Sequence, residues 1–208
     1  DGSLAHVQRT VRNGRVYDAE WFGTDWILGG TISGVDSLWN MQLLAGSSVS
    51  DGFVSRASTS GAIDWVRTLS SDSAVVVQYC DVTSSGDIAV SDTDSLEGPS
   101  GARSGFTALF DEGGNLLWAI PMIDSDFLNI RDQAVGDEGS IYLFGSFSGD
   151  LEVDSHVLHA SSSKQTYALK LNADGECEAA LCFGRTRPAA SPGGLLVNEQ
   201  GVFLSTNY

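Results

Sequence analysis

The residues of this 208-residue chain best suited to chemistry are carboxylates. Asp92, Asp94 and Glu97 fall in one stretch, Asp124 and Asp126 in a second, and Asp150, Glu152 and Asp154, with His156, in a third. Clustered carboxylates could coordinate calcium, which takes roughly six to eight oxygen ligands. No D-x-D-x-D-G loop is present, so the plainer expectation is solvated loop acids. His156 and His159 stand three apart, which on a strand sends them to opposite faces and argues against a shared metal. No G-x-S-x-G elbow occurs; the GSFSG stretch, Gly145 to Gly149, has Phe147 where that motif has its serine. Carboxylate pairs for glycoside hydrolysis meet in space rather than in sequence, and nothing here singles one out. The expectation is no catalytic residue and no cofactor, with calcium on the loop acids as the one metal to consider.

Bulk composition narrows the partners. Lys plus Arg is 11 against 27 for Asp plus Glu, a formal charge of −16. Such a field repels phosphate backbones and anionic lipid, so neither nucleic acid nor a membrane surface is expected as a partner. The charge serves solubility, or a cationic partner. No apolar run is long enough to span a bilayer. No signal peptide is seen and the chain opens on Asp1, which reads as a mature product or an excised domain. Cys80, Cys177 and Cys182 are too few for a disulfide framework and too scattered for zinc; Cys177 and Cys182 either pair or remain buried thiols.

The elements that must position these residues are written twice. GFVSRASTSGAIDWVR (52–67) is followed by GFTALFDEGGNLLWAI (105–120). Gly61 to Gly114 and Gly86 to Gly139 are both 53 residues, so a whole unit recurs. A third copy follows with a longer spacing, TYALKLNADGECEAALCF (166–183). Each unit alternates short Val-, Ile-, Leu-, Phe- and Tyr-rich runs with Gly, Asp, Asn and Ser, the signal of hairpins, and no long helical period appears. Two hairpins per unit make four strands, and four-stranded units at this period stack as blades of a β-propeller. The expected fold is all-β: one domain over 1–208, with blades at about 18–69, 74–121 and 129–183. A fourth is expected from 193–208 with 1–17, the N-terminal part turning at Asn13–Gly14 and closing the ring.

GFTALFDEGGNLLWAI and GSIYLFGSFSGDLEV resemble the bacterial SBBP-type β-propeller repeat over about Gly52 to Phe183. The third copy departs, with Ala179 where Trp65 and Trp118 stand. SGAIDW and GGNLLW are also similar to quinoprotein-type repeats, in which a Gly and a Trp lock adjacent blades. The SBBP resemblance implies a secreted, cell-surface or periplasmic protein with no general enzymatic activity.

In such a blade the first and third turns share one end, and the second loop and inter-blade link share the other. First turns (Gly23, Gly86, Gly139, Gly201) and third turns (Gly61, Gly114, Gly175) are short, whereas the second loops are long: Ile32–Ser50, Asp92–Ser104 and Ser148–Gln165. Binding usually lives on long loops held by a rigid scaffold. That face gathers Trp39, Asp92, Asp94, Glu97, Asp124, Asp126, Asp150, Glu152 and Asp154 as candidate partner-binding residues. Trp65 and Trp118 hold equivalent repeat positions and are expected to pack between blades; Trp39, beside Met41, is the loop aromatic suited to a contact. The functional expectation is a non-enzymatic interaction scaffold or assembly subunit with a protein partner. The alternative is a carbohydrate-binding or glycan-cleaving propeller using the loop acids and Trp39.

Overall fold

The computed structural model describes residues 13–38, 41–44, 50–71, 74–97, 103–124, 126–161, 164–183, 191–198 and 200–207. These residues are strand throughout apart from turns, links and one 3-10 turn at Asp137–Gly139. The first sheet has the order β1 (Gly14–Phe22), β2 (Asp25–Ser33), β5, β6, with a small hairpin of β3 (Val35–Leu38) and β4 (Met41–Leu44) between β2 and β5. Its third and fourth strands are β5 (Ser50–Ser58) and β6 (Ile63–Leu69). The second sheet holds β7 (Tyr79–Val82), β8 (Ile88–Glu97), β9 (Arg103–Phe110) and β10 (Leu116–Asp124). The third begins with β11 (Phe127–Val135) and β12 (Ile141–Ser148), is interrupted by a hairpin of β13 (Asp150–Val153) and β14 (His156–His159), and ends with β15 (Gln165–Leu171) and β16 (Cys177–Phe183). A last pair, β17 (Ser191–Asn198) and β18 (Gly201–Asn207), stands by itself. All pairings are antiparallel, and the described residues do not close into a ring.

Glycine takes positive φ at every first and third turn expected from the sequence: Gly23, Gly86, Gly139 and Gly201, and Gly61, Gly114 and Gly175. Two expectations are corrected. The turn anticipated at Asn13–Gly14 is the start of β1, which pairs with β2 from Gly14 opposite Ile32, while the Asn13 carbonyl accepts the Ser33 N–H at 2.9 Å. Gly14–Tyr17 therefore belong to the first sheet. Residues 1–12, the remainder of the anticipated closing strand, lie outside the described residues. The second loops are also more ordered in design than anticipated: two of the three contain hairpins, and β13 pairs with β10, widening the second sheet to six strands.

Neighbouring sheets meet face to face around shared apolar clusters. Ile27, Val54 and Trp65 of the first sheet pack with Ile88, Val90, Ala108 and Phe110 of the second. Ala89, Leu109 and Met122 of the second pack with Leu143, Phe147, Tyr167 and Leu169 of the third. At the inner edge one side chain of each first strand reaches the next first strand. Asp18 accepts the Cys80 N–H at 2.9 Å, the Tyr79 hydroxyl donates to the Arg131 carbonyl at 2.8 Å, and Asp132 accepts the Leu195 N–H at 2.7 Å. Asp18 and Asp132 sit at register shifts of β1 and β11, where a bulge re-aims the side chain.

At the outer edge the tryptophans do the same. The Trp65 indole N–H donates to the Glu112 carbonyl at 2.9 Å, and Trp118 donates to the Ala173 carbonyl at 2.8 Å. Each ring covers the third-turn glycine two residues further on. A Cβ on Gly114 would come within 2.7 Å of Trp65, and one on Gly175 within 2.8 Å of Trp118, so these turns need glycine for space as well as for φ. Arg56 strengthens the first junction, pairing with Asp25 in its own sheet and Glu112 in the next, both at 2.8 Å. Lysine cannot reproduce that fork. Arg56→Lys is expected to lower the urea-unfolding free energy by about 1–2 kcal/mol; an unchanged value would show that the bridge contributes nothing.

Candidate functional site

The nine nominated residues separate into three groups. Asp92 and Asp124 are fully buried. Asp92 accepts the Val76 N–H at 3.1 Å and the Thr93 N–H at 2.6 Å. Asp124 accepts N–H groups of Asp126, Phe127 and Ser148 at 2.7, 3.0 and 3.3 Å. These carboxylates stand in for strand partners where the chain passes between sheets, so they hold the links and are withdrawn from any partner surface. Burial holds the Asp124 carboxyl above its ordinary value despite those bonds. Their assignment as partner-binding residues is corrected accordingly.

Asp150, Glu152 and Asp154 share one hairpin. Along β13 exposed and buried positions alternate: Asp150 and Glu152 face solvent, Leu151 and Val153 enter the core between the second and third sheets. Asp150 pairs with His159 across the hairpin at 2.8 Å. Asp154 closes the turn in a positive-φ conformation and accepts the Cys177 N–H at 3.3 Å, fastening the hairpin tip to the third sheet. Hydrogen bonds from the Ser155 and Cys177 backbone hold its carboxyl below the ordinary range. His156 is half-buried and His159 exposed on alternate faces of β14, as their spacing required. Asp126 is exposed on the β10–β11 link. Asp94 falls within the register shift of β8 between Asp92 and Leu96, Glu97 pairs with Arg103 beyond it, and Trp39 lies outside the described residues.

No group of three or more His, Cys, Asp or Glu side chains among the described residues is arranged to hold a metal ion. The three cysteines are free; Cys177 and Cys182 stand at opposite ends of β16. Two concave places among the described residues lie away from the nominated face. One, of about 190 Å³, opens at the first-turn end between Val82, Val135 and Val197; another, of about 230 Å³, lies along β17 and β18 at Leu195 and Phe203.

An acidic group gathers instead near the inner strands: Asp18 and Glu20 on β1, Asp81 on β7 and Asp132 on β11. Burial, with repulsion from Glu20, Asp18 and Asp132, pushes the Asp81 carboxyl to about 7, against a lowering contact from the Gln133 amide at 3.5 Å. Gln133 is itself buried, donating to the Ala89 carbonyl at 3.1 Å and accepting from Ser91. Sequence reading missed this group because its members are some 50 to 60 residues apart and meet only when first strands stand side by side. The signal available was the Asp at equivalent places in VYDAEW and NIRDQA.

The class defined by this geometry is an all-β protein of antiparallel, four-stranded sheets joined in series. In comparison with known proteins the chain matches no family model and no curated protein.

Proposed function

We propose that the sheets are blades of a β-propeller of SBBP-like type, and that the chain is a non-enzymatic, secreted or surface-located interaction scaffold or assembly subunit. It engages a protein partner through the face carrying the connections between second and third strands. One observation carries this reading: among the described residues those connections carry insertions, a hairpin in the first and third sheets and an extended β8 in the second, whereas first and third turns are tight. The repeated stitching of each sheet to the next supports the propeller. On that face Asp126, Glu152 and the Asp150–His159 pair are solvent-exposed, and a charge of −16 selects a cationic partner surface.

The test is affinity for the partner recovered by cross-linking from the natural source material. Shortening 94–103 while keeping Asp92, or combining Asp126→Asn with Glu152→Gln, is expected to weaken binding at least ~10-fold, since rim charges and loop contacts supply steering and specificity. Binding that survives every one of these changes counts against the face. Capture by a glycan array in place of a protein would move the reading to carbohydrate recognition.

A further inference from the structure

The outer half of the six-stranded second sheet turns one side to the core and the other to solvent. Met122 of β10, Leu151 and Val153 of β13 and Leu158 of β14 join the core shared with the third sheet. On the other side Ile123, Glu152 and Val157 stand opposite one another in a single row across β10, β13 and β14. Ile123 is 44% exposed and Val157 48% exposed, and Glu152 is exposed between them. Ala119 and Pro121 continue the exposed apolar surface along β10. Asp150 and His159 form the next pair on β13 and β14, on the same side.

The repeat does not demand these apolar side chains. At the 53-residue spacing the places of Pro121 and Ile123 are taken by Thr68 and Ser70, and at the 61-residue spacing by Cys182 and Gly184. Apolar anchors beside charged groups on a solvent face have the composition of a contact surface. Adjacent strands lie about 4.8 Å apart, so Ile123 and Val157 are about 10 Å apart with Glu152 midway. On an α-helix, residues i and i+7 lie on one face about 10.5 Å apart, with i+3 and i+4 between them. In an extended segment same-face side chains recur every ~6.7 Å, so one step falls short of the row and two overshoot it.

We propose that the row Ile123–Glu152–Val157 seats a basic amphipathic helix of a protein partner. The helix lies across the strands, with apolar residues at i and i+7 over Ile123 and Val157 and a lysine or arginine at i+3 or i+4 over Glu152. Charge complementarity fixes the sign of the occupant. Glu152 stands in the centre of the row, the Asp150–His159 pair stands beside it, and the chain as a whole carries −16. This seat rests on the reading that the insertion-bearing face binds a protein, and specifies the element that docks there.

The test uses the whole chain and labelled alanine-based peptides of about 20 residues, long enough to hold a helix in water. The first peptide carries isoleucine at i and i+7 with lysine at i+4. The second has glutamate at i+4, and the third moves the lysine to i+2, off the apolar face. Fluorescence anisotropy is expected to show the first binding at least ~5-fold more tightly than either of the others. Glu152→Lys should reverse the order of the first two peptides. Ile123→Ser combined with Val157→Ser should weaken the first at least ~10-fold, through lost apolar burial; a circular-dichroism melt checks that this chain is folded. Equal binding of all three peptides, an order unchanged by Glu152→Lys, or no binding at millimolar peptide would overturn the proposal. The cross-linked partner separates the helix seat from the wider reading. A partner weakened by shortening 94–103 but not by Ile123→Ser with Val157→Ser overturns the seat and leaves the face in place.

Discussion

Trp65→Ala is expected to destabilise the protein by about 3–5 kcal/mol, the range for truncating a large buried aromatic. The ring is 9% exposed, lies against Gly114 and gives its N–H to the Glu112 carbonyl, so truncation opens a cavity and strands an acceptor. Arg67 adds to the cost: it lies over the Trp65 ring at 5.6 Å while donating to the Gly114 carbonyl at 2.7 Å. The sharper form is a double-mutant cycle with Gly114→Ala. In the natural background the new Cβ meets the indole and also strains a φ of 76°. With Trp65 already alanine only the strain remains, about 1–2 kcal/mol. Urea unfolding of the four variants should give a coupling of at least ~1 kcal/mol between the two sites. Strict additivity would show that ring and turn do not depend on each other. Trp118→Ala should cost less than Trp65→Ala, since its ring is only half-buried.

The second large effect is on the response to pH. Asp81 has its carboxyl near 7 in the folded protein against 3.8 as the ordinary value. A raised carboxyl means that the native state holds a proton the unfolded chain has released. The contribution of Asp81 to stability is therefore greatest below about pH 4, falls as pH rises from about 4 to 7, and levels off above. At ~1.36 kcal/mol per unit the ceiling is about 4 kcal/mol. Glu20, raised by burial and by Asp18, and Asp124 act with the same sign. Asp111 and Asp154, held low by hydrogen bonds, act oppositely and only as pH drops toward and below 4. The urea midpoint should be higher at pH 5 than at pH 8. Asp81→Asn, which keeps the size and cannot ionise, should raise the midpoint at pH 8 and change it little at pH 4. A natural chain as stable at pH 8 as at pH 5, or an Asp81→Asn chain that tracks it at both, would remove Asp81 as the cause.

What was legible in the sequence was local. Gly-x-x-x-Trp at Gly61–Trp65 and Gly114–Trp118 reported a tight turn and an outer strand, and recurrence at a fixed period reported that whole units repeat. The packing role of both tryptophans followed from their equivalence. The hairpin of β13 and β14 is equally local, since DLEVDSHVLH alternates around a turn, but its run of acids gives the stretch the composition of a loop. Those acids are the solvent side of a strand whose other side, Leu151 and Val153, is core. Asp92 and Asp124 failed for a different reason. Their partners are backbone N–H groups at bends between sheets, and nothing in a side-chain pattern marks which carboxylate will be folded inward to serve them. Asp81 and Gln133 likewise depend on one first strand standing beside another.

The strap formed by β13 also bears on how the chain is made. The outer edge of β10 is complete at Asp124, but the strand that covers it ends at Val153, about 30 residues later. At ~5–20 residues per second of synthesis that edge waits roughly 2–6 s with unpaired N–H and C=O groups, the arrangement most prone to pairing with a neighbouring chain. Trp65 and Trp118 wait in the same way for the glycine turns of the sheets that follow them. Each sheet is thus finished by its successor, so a ribosome stalled soon after Asp124 would hold out an adhesive strand, and the hazard passes only when the next sheet arrives.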